Sequence, residues 1–373
     1  MAGILLILAS CGSEKNQNVS QDANDGNILR YARNIKLVPK PEGWYEVKVT
    51  NPWDTLSLLQ TLALVPREME TAELKIPDNA EVIRVPLESS LITSTVHIGL
   101  LEEFGAIDAV TAVTDADFIK SDLVEEKIQR GEIVNCGRWL EPDIEKMILL
   151  SPEAVLISPY QNGGNYSHLA DRNIPVIYVA DYMEQSPLGK AEWMRYYGLL
   201  YGKGEKADSI FSSVAQNYED LKEKYSNQVG TVKSPKVLFD VPQSGIWYVP
   251  VGGSYNDILI SDSGGNNPFS RMSGDRFKGI SPEKVLYDAG DADFWLIRQN
   301  SNSRLTKKLL EKDITFASQF KAFKEDNVWG CNTGDTRYFE ETPFHPDRLL
   351  EEYCRILYDP EVPDSLYYFK KIK

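Results

Sequence analysis

Hydrophobic and polar positions along the chain fall into two similar halves, one on either side of a long helical stretch. Between Lys203 and Asn227 the residues Ala207, Ile210, Phe211, Val214, Tyr218, Leu221 and Tyr225 recur at helical spacing. The pattern predicts a helix of about 23 residues, a rod of roughly 35 Å. It sits in a connecting helical region, 187–230, that opens at Pro187 and closes before Pro235. Before it, IRVP, AIDAVTAVT, EIVNCG, PEAVLISP and IPVIYVA read as strands, and STVHIGLLEEFG, PDIEKMILL and SHLADRN as helices. After it, KVLFDVP, ADFWLIR and NVWGC read as strands. Residues 254–263, SPEKVLYDA, RLTKKLLEK and PDRLLEEYCRILYD read as helices there. Strands alternating with helices imply βαβ units and mainly parallel sheets. The expected class is α/β: two lobes with mainly parallel central sheets, joined by one long α-helix. The lobes are expected at 81–186 and 231–373. Ahead of them, Tyr45, Val47 and Val49 alternate with polar residues after the turn Pro39–Gly43. That period predicts an accessory β segment over 28–80.

Length and charge narrow the partners. A chain of 373 residues suffices for two domains. The net charge of -15 and the lack of a basic patch argue against a nucleic-acid partner. The first eleven residues, MAGILLILASC, are apolar and too short to span a bilayer. Leu8-Ala9-Ser10-Cys11 resembles a bacterial lipobox, which makes Cys11 the expected lipidation site and residues 1–27 a signal and flexible tether. Met1-Ala2-Gly3 lacks the basic start of a signal peptide. Cys136, Cys331 and Cys354 are too few and too scattered for a disulfide framework or a Cys-rich zinc site, with one disulfide still open.

Catalytic sets are absent from the sequence. His97, His168 and His345 form no metal-ligand spacing, and GxSxG, the P-loop and GxGxxG do not occur. The expectation is no enzyme, no bound metal and no cofactor. Gly252-Gly253-Ser254-Tyr255 either offers backbone N–H groups to an anion or is a turn with Ser254 as helix cap. The aromatics in predicted loops are more informative. Trp139, Tyr160, Trp247, Tyr248 and Phe277 follow predicted strands, on the edge where open α/β sheets bind ligands. Rings on facing rims would sandwich a large, partly apolar ligand, with Arg138, Arg276 and Arg298 pairing its acidic groups. Glu145 and Glu283 each fall in the first turn of a predicted helix, beside a proline. An acid there complements the helix dipole by about 0.3–1 kcal/mol, which does not explain why each half has one.

Five motifs, in order, carry a family resemblance: Cys136-Gly137-Arg138-Trp139 with Pro142-Asp143-Ile144-Glu145; LSPEAVLI from Leu150; the long helix with Gly202 and Lys206-Ala207; DSGGNNPF from Asp262; and ISPEKVL from Ile280. Over about residues 80–358 the chain resembles substrate-binding lipoproteins of ABC importers for iron–siderophore complexes, haem and cobalamin. The resemblance implies a clamshell with little hinge motion. It also implies Glu145 and Glu283 as docking points for permease arginines, and a lipid-anchored monomer in the cell envelope. Trp139 and Phe277 match cleft aromatics of the cobalamin-binding members. The segment 28–80 departs from the family and is expected to be a hairpin packed on the N-terminal lobe. The ligand expected first is an iron–siderophore complex, with cobalamin and haem as alternatives. Outside transport, the alternatives are a two-lobed cofactor enzyme, for which Cys136 alone supplies too few ligands, or a sensor that lost transport.

Overall fold

The computed structural model describes residues 26–160, 166–229, 233–301 and 303–373. The proposed lipidation site, Cys11, lies outside the described residues. Two separate main sheets give two lobes. In the N-terminal lobe five parallel strands run in the order Val176–Tyr178, Ala154–Ile157, Ser90–Ile92, Val110–Val113, Val134–Asn135. All four residues of Ala154–Ile157 are buried, as expected for a strand covered on both faces. The chain starts at the central strand Ser90–Ile92, builds outward on one side and then on the other. The strand order therefore reverses at Ser90–Ile92, and the loops after it leave in opposite directions. That is where open α/β sheets form a crevice.

The C-terminal lobe has Val237–Phe239, Phe294–Gln299 and Val328–Asn332 in parallel, with Lys370–Lys371 added antiparallel. An antiparallel pair, Trp247–Pro250 with Phe277–Ile280, stands beside this sheet. The spine is the helix Gly204–Val229, 26 residues and about 39 Å long. Gly202, at φ +64° and packed on Pro86, breaks it from the shorter helix Met194–Leu200. Ala207, Phe211, Val214, Tyr218 and Tyr225 are buried, the stripe expected from their spacing. One continuous apolar core runs from the first strands through this helix to the closing helix Pro346–Tyr358. A second core fills the C-terminal lobe around Trp247, Trp295 and Phe320.

The accessory segment is larger than a hairpin. It is a four-stranded sheet of Ile35–Pro39, Tyr45–Thr50, Leu58–Pro66 and Glu81–Val85. Glu81–Val85 pairs parallel with Leu58–Pro66, so it belongs to this sheet and not to the N-terminal lobe, whose first strand is Ser90–Ile92. The sheet docks through Gln60, whose amide donates to Val176 O at 2.7 Å and accepts from Tyr178 N at 3.0 Å. A side-chain amide thus satisfies the edge strand as another backbone would. The segment before the first strand is held at the hinge. Glu192 accepts from the backbone N–H of Arg30, Tyr31 and Ala32, and Glu184 from those of Arg33 and Asn34 and from Trp193 Nε1.

Candidate functional site

A hollow of about 460 Å³ opens at the carboxyl ends of the N-terminal sheet, where the strand order reverses. Thr93, Ser94 and Thr95 follow the central strand, Asp115 and Phe118 the next, and Ser158 and Tyr160 the strand on its other side. Trp139 and Tyr182 complete the lining. Trp139 and Tyr160 meet edge to face with centroids 5.7 Å apart, a preferred aromatic geometry. Tyr166 braces this corner by donating its hydroxyl to Trp139 O at 2.9 Å. Asp115 Oδ2 accepts from Trp139 N at 3.0 Å, so the loop after one strand fixes the ring carried by another. Phe118 and Tyr182 were not singled out from the sequence, although both follow strands as the other rings do.

The C-terminal lobe presents Tyr248 and Phe277. In the antiparallel pair Tyr248 faces Gly279 and Pro250 faces Phe277, which puts Tyr248 and Phe277 on one face of the ribbon. Both are exposed, at 46% and 40%. Trp247, their neighbour, points the other way. It has no exposed surface, and its indole N–H donates to Phe239 O at 3.0 Å. The expectation that Trp247 lines the cleft is corrected: it is a core residue of the C-terminal lobe.

The three arginines differ in what already binds them. Arg138 lies within 3.5 Å of Asp115 and 3.3 Å of Asp117, and stacks on Phe118. Arg298 is gripped by Asp240, with Nη2 to Oδ2 at 2.7 Å and both its backbone N–H and Nε bonded to Oδ1. It is sandwiched against Phe239 and Tyr338, and the neighbouring Asp240 holds its charge firmly on. Asp240 thus takes the Nε and Nη2 of Arg298, which sets it apart from the other two arginines expected to serve the ligand. Arg276 is different. It stands over the Tyr182 ring at 5.4 Å and donates to Met183 Sδ at 3.3 Å, reaching from the C-terminal lobe to the hinge side of the hollow. Lys190 is absent from the sequence-based candidates. The Lys190 ammonium sits 4.3 Å from the Tyr255 ring centroid. Gly252-Gly253-Ser254 proves to be a turn with Ser254 as cap, accepting from Asp257 N.

Glu145 and Glu283 are exposed on the helices Ile144–Leu150 and Pro282–Ala289, at the second helical position in both. The three described cysteines are buried and free, so no disulfide joins them. Burial pushes the Cys136 and Cys331 thiols up to about 11, as expected for inert packing residues. Among the described residues, no cluster of His, Cys, Asp or Glu side chains is arranged to hold a metal ion.

Two α/β lobes on one stiff spine, with a ring-lined hollow at the sheet edge facing the second lobe, define a two-lobed solute-binding protein. Residues 92–333 match the periplasmic binding protein family, and the chain belongs to that family. Its members are solute-binding proteins rather than enzymes. The chain is 25% identical to an uncharacterized lipoprotein of Methanocaldococcus jannaschii over 95% of this chain and 90% of that one. It is 26% identical to the iron-uptake system-binding protein of Bacillus subtilis over 52% of this chain and 59% of that one. The fold is similar to that of a periplasmic haem-binding protein from Pseudomonas aeruginosa, with a TM-score of 0.59 at 13% identity, covering 77% of this chain and 98% of that one.

Proposed function

We propose that this protein is the solute-binding component of an ABC importer. It captures a metal chelate, an iron–siderophore complex, between its lobes and passes it to a membrane permease. Cys11 would carry the lipid that holds it in the cell envelope as a monomer, and Glu145 and Glu283 would meet the permease. The observation that carries this reading is the hollow bounded by Phe118, Trp139, Tyr160 and Tyr182. Rings and hydroxyls make a wall that stacks on an organic shell. The carboxylate in that wall, Asp115, is already held by Arg138 and by Trp139 N. Tyr182 donates its hydroxyl to Pro159 O, and burial pushes its phenol up to about 12. A phenol so placed is a poor metal ligand at neutral pH, which favours iron arriving already wrapped. The iron-uptake name of the Bacillus relative and the haem-binding name of the Pseudomonas structure both support a chelated metal as cargo.

The test is a titration of the purified protein with a panel of ferric siderophores, haem and cobalamin, followed by tryptophan fluorescence and calorimetry. A ferric siderophore should quench saturably, and Trp139→Ala should weaken its binding by about tenfold, the scale of a lost ring contact. Saturation by cobalamin or haem alone would reassign the cargo. No binding across the panel, or unchanged affinity in Trp139→Ala, would end the cleft reading.

A further inference from the structure

Resting on the reading of a lipid-anchored protein whose Glu145 and Glu283 face a membrane permease, we infer that the hairpin tip 51–58 of the accessory sheet is a membrane-contact element, which inserts into the bilayer surface beside the permease. The tip joins the strands Tyr45–Thr50 and Leu58–Pro66 and shows solvent Trp53, Leu56 and Leu58, with Leu56 at 98% exposure. Hairpin tips ordinarily turn polar side chains outward. Here the polar ones fold back on the loop's own backbone. Asn51 Oδ1 accepts from Trp53 N at 3.0 Å, Asp54 Oδ1 accepts from Leu56 N at 3.3 Å, and the Ser57 hydroxyl donates to Asp54 O at 3.0 Å. Bonds from Asn51 N to Ser57 O at 3.0 Å and from Ser57 N to Asp54 O at 2.9 Å close the turn. The apolar side chains are therefore held outward by a structured turn. That display is unfavourable in water and favourable against an apolar partner.

Three features make that partner lipid. The first is direction. Gln60 is level with Ile177, bonding to Val176 and Tyr178 on either side of it, whereas Arg67, beyond the other end of the same strand, pairs with Glu153 ahead of the strand Ala154–Ile157. The strand Leu58–Pro66 thus runs from the carboxyl edge of the N-terminal sheet to its amino edge, and the tip at its start points past the carboxyl edge. The hollow opens at that edge, and the helix that carries Glu145 begins from it. A permease that meets Glu145 brings the membrane to the side on which the tip projects. The second feature is the anchor. At Gly26 an added Cβ would stand 3.1 Å from Val38 Cγ1, and Ile28 N donates to Leu37 O, so the chain from Cys11 enters the protein on the accessory sheet itself. Val38 pairs with Glu46, and from there the strand Tyr45–Thr50 leads to the tip over about 20 Å. The fifteen residues from Cys11 to Gly26 reach up to about 50 Å, so lipid and tip can enter one membrane surface. The third feature is chemistry. Tryptophan favours the level of the head groups and leucine the acyl boundary. Asp54 is the one charged residue in 51–58, its carboxylate is engaged in the turn, and the chain's net charge is -15. The attraction is therefore apolar and not electrostatic.

The test uses the protein extracted from its envelope and placed on phosphatidylcholine vesicles, with a nitroxide spin label on Leu56→Cys. The three described cysteines are buried, so the label goes to the tip. Mass spectrometry of the same sample reads the lipid on Cys11. On vesicles without permease the label should lose access to a water-soluble nickel complex and gain collisions with oxygen, and high salt should change neither. With the label moved to Leu58→Cys, Leu56→Asp should lower the inserted population by about tenfold or more, the scale of a leucine returned to water, and Leu56→Phe should retain it. Leu56 is almost fully exposed, so neither variant should move the thermal midpoint or the affinity for chelate. A label that stays open to nickel on protein carrying its lipid overturns the tip as a membrane contact and leaves the anchor standing. Protein without the lipid whose label is still protected by vesicles overturns the anchor and keeps the tip. Neither lipid nor protection overturns both. Protection that appears only when permease is added assigns the tip to a protein partner and overturns the inference, as does spin–spin broadening without vesicles, the sign of a second copy.

Discussion

Trp247 lies against Trp295 and Phe320, with both ring centroids 5.8 Å from its own, and its indole N–H is satisfied by Phe239 O. Truncating it empties the centre of the C-terminal core. Trp247→Ala should cost about 3–5 kcal/mol of stability, the range for large aromatic deletions. Trp139, half-buried and touching Tyr160 by its edge, should cost about 1 kcal/mol on truncation, mostly the ring pair. Urea unfolding of the two variants separates them, and equal losses would mean that Trp139 is a packing residue. The sequence already held the means to tell these tryptophans apart. In Ile246-Trp247-Tyr248-Val249 successive side chains of a strand face opposite sides, so Trp247 and Tyr248 could not both face the cleft. The state of each arginine was not readable in the same way. A sequence shows a positive charge but not its partner, and Asp240 meets Arg298 from just past the end of a strand more than fifty residues away.

The helices of both lobes repeat one construction at their first turns. Asp143 caps Ile144–Leu150 by accepting from Lys146 N, and Ser281 caps Pro282–Ala289 by accepting from Lys284 N. Glu145 and Glu283 occupy the second position of each. The neighbouring lysines are taken by other acids, Lys146 by Asp143 and Lys284 by Asp288, so both glutamates are left without a salt bridge among the described residues. One turn on, each helix shows solvent an apolar side chain, Leu149 at 85% and Tyr287 at 89% exposure. An acid and an apolar contact at matched places on two lobes suit a partner that meets both at once. Glu145→Ala with Glu283→Ala should leave chelate affinity unchanged and lower stability by no more than about 1 kcal/mol per site. Delivery to the reconstituted permease should be lost. Transport at the wild-type rate would remove the docking role. At this scale the sequence was largely transparent. Helices with caps and a stripe, and strands buried on both faces, announce themselves locally. Glu81–Val85 is legible as a strand but its sheet is not, because a strand's pattern records which faces are covered and not which neighbour pairs with it. The central strand Ser90–Ile92 is three residues long, too short to show any period.

At the scale of the whole molecule, the two lobes are seamed together by side-chain contacts. Arg337 binds Glu102 at 2.7 Å, His345 meets Glu103 at 2.8 Å, and Lys120 donates to the carbonyls of Thr333 and Thr336. All three contacts join the N-terminal lobe to the C-terminal lobe. Glu103 would have its pKa raised by burial, but the bond to His345 and the nearby cations outweigh this and hold it below the usual carboxylate range. Its contribution is therefore present above the ordinary glutamate pKa and is lost as pH falls through the lowered one, so this part of the seam loosens in acid. At the middle of the seam Gly99, on the helix Thr95–Phe104, passes so close to the opposing chain that an added Cβ would stand 2.8 Å from Glu340 O and 2.9 Å from Glu340 Cβ. The charged contacts around it are partly exposed and individually weak. Close backbone packing at Gly99 is then what keeps the lobes from swinging. Gly99→Leu sets two effects against each other. Leucine is the better helix former by about 1 kcal/mol. Overpacking a tight contact costs about 1–3 kcal/mol. If the seam is rigid the second effect should win. Urea unfolding should then show a net loss, and small-angle scattering a larger radius of gyration. If the lobes hinge freely, the helix would simply move aside and the variant would be as stable as wild type or more so. That result would remove the packing at Gly99 as the reason the cleft stays formed without its cargo.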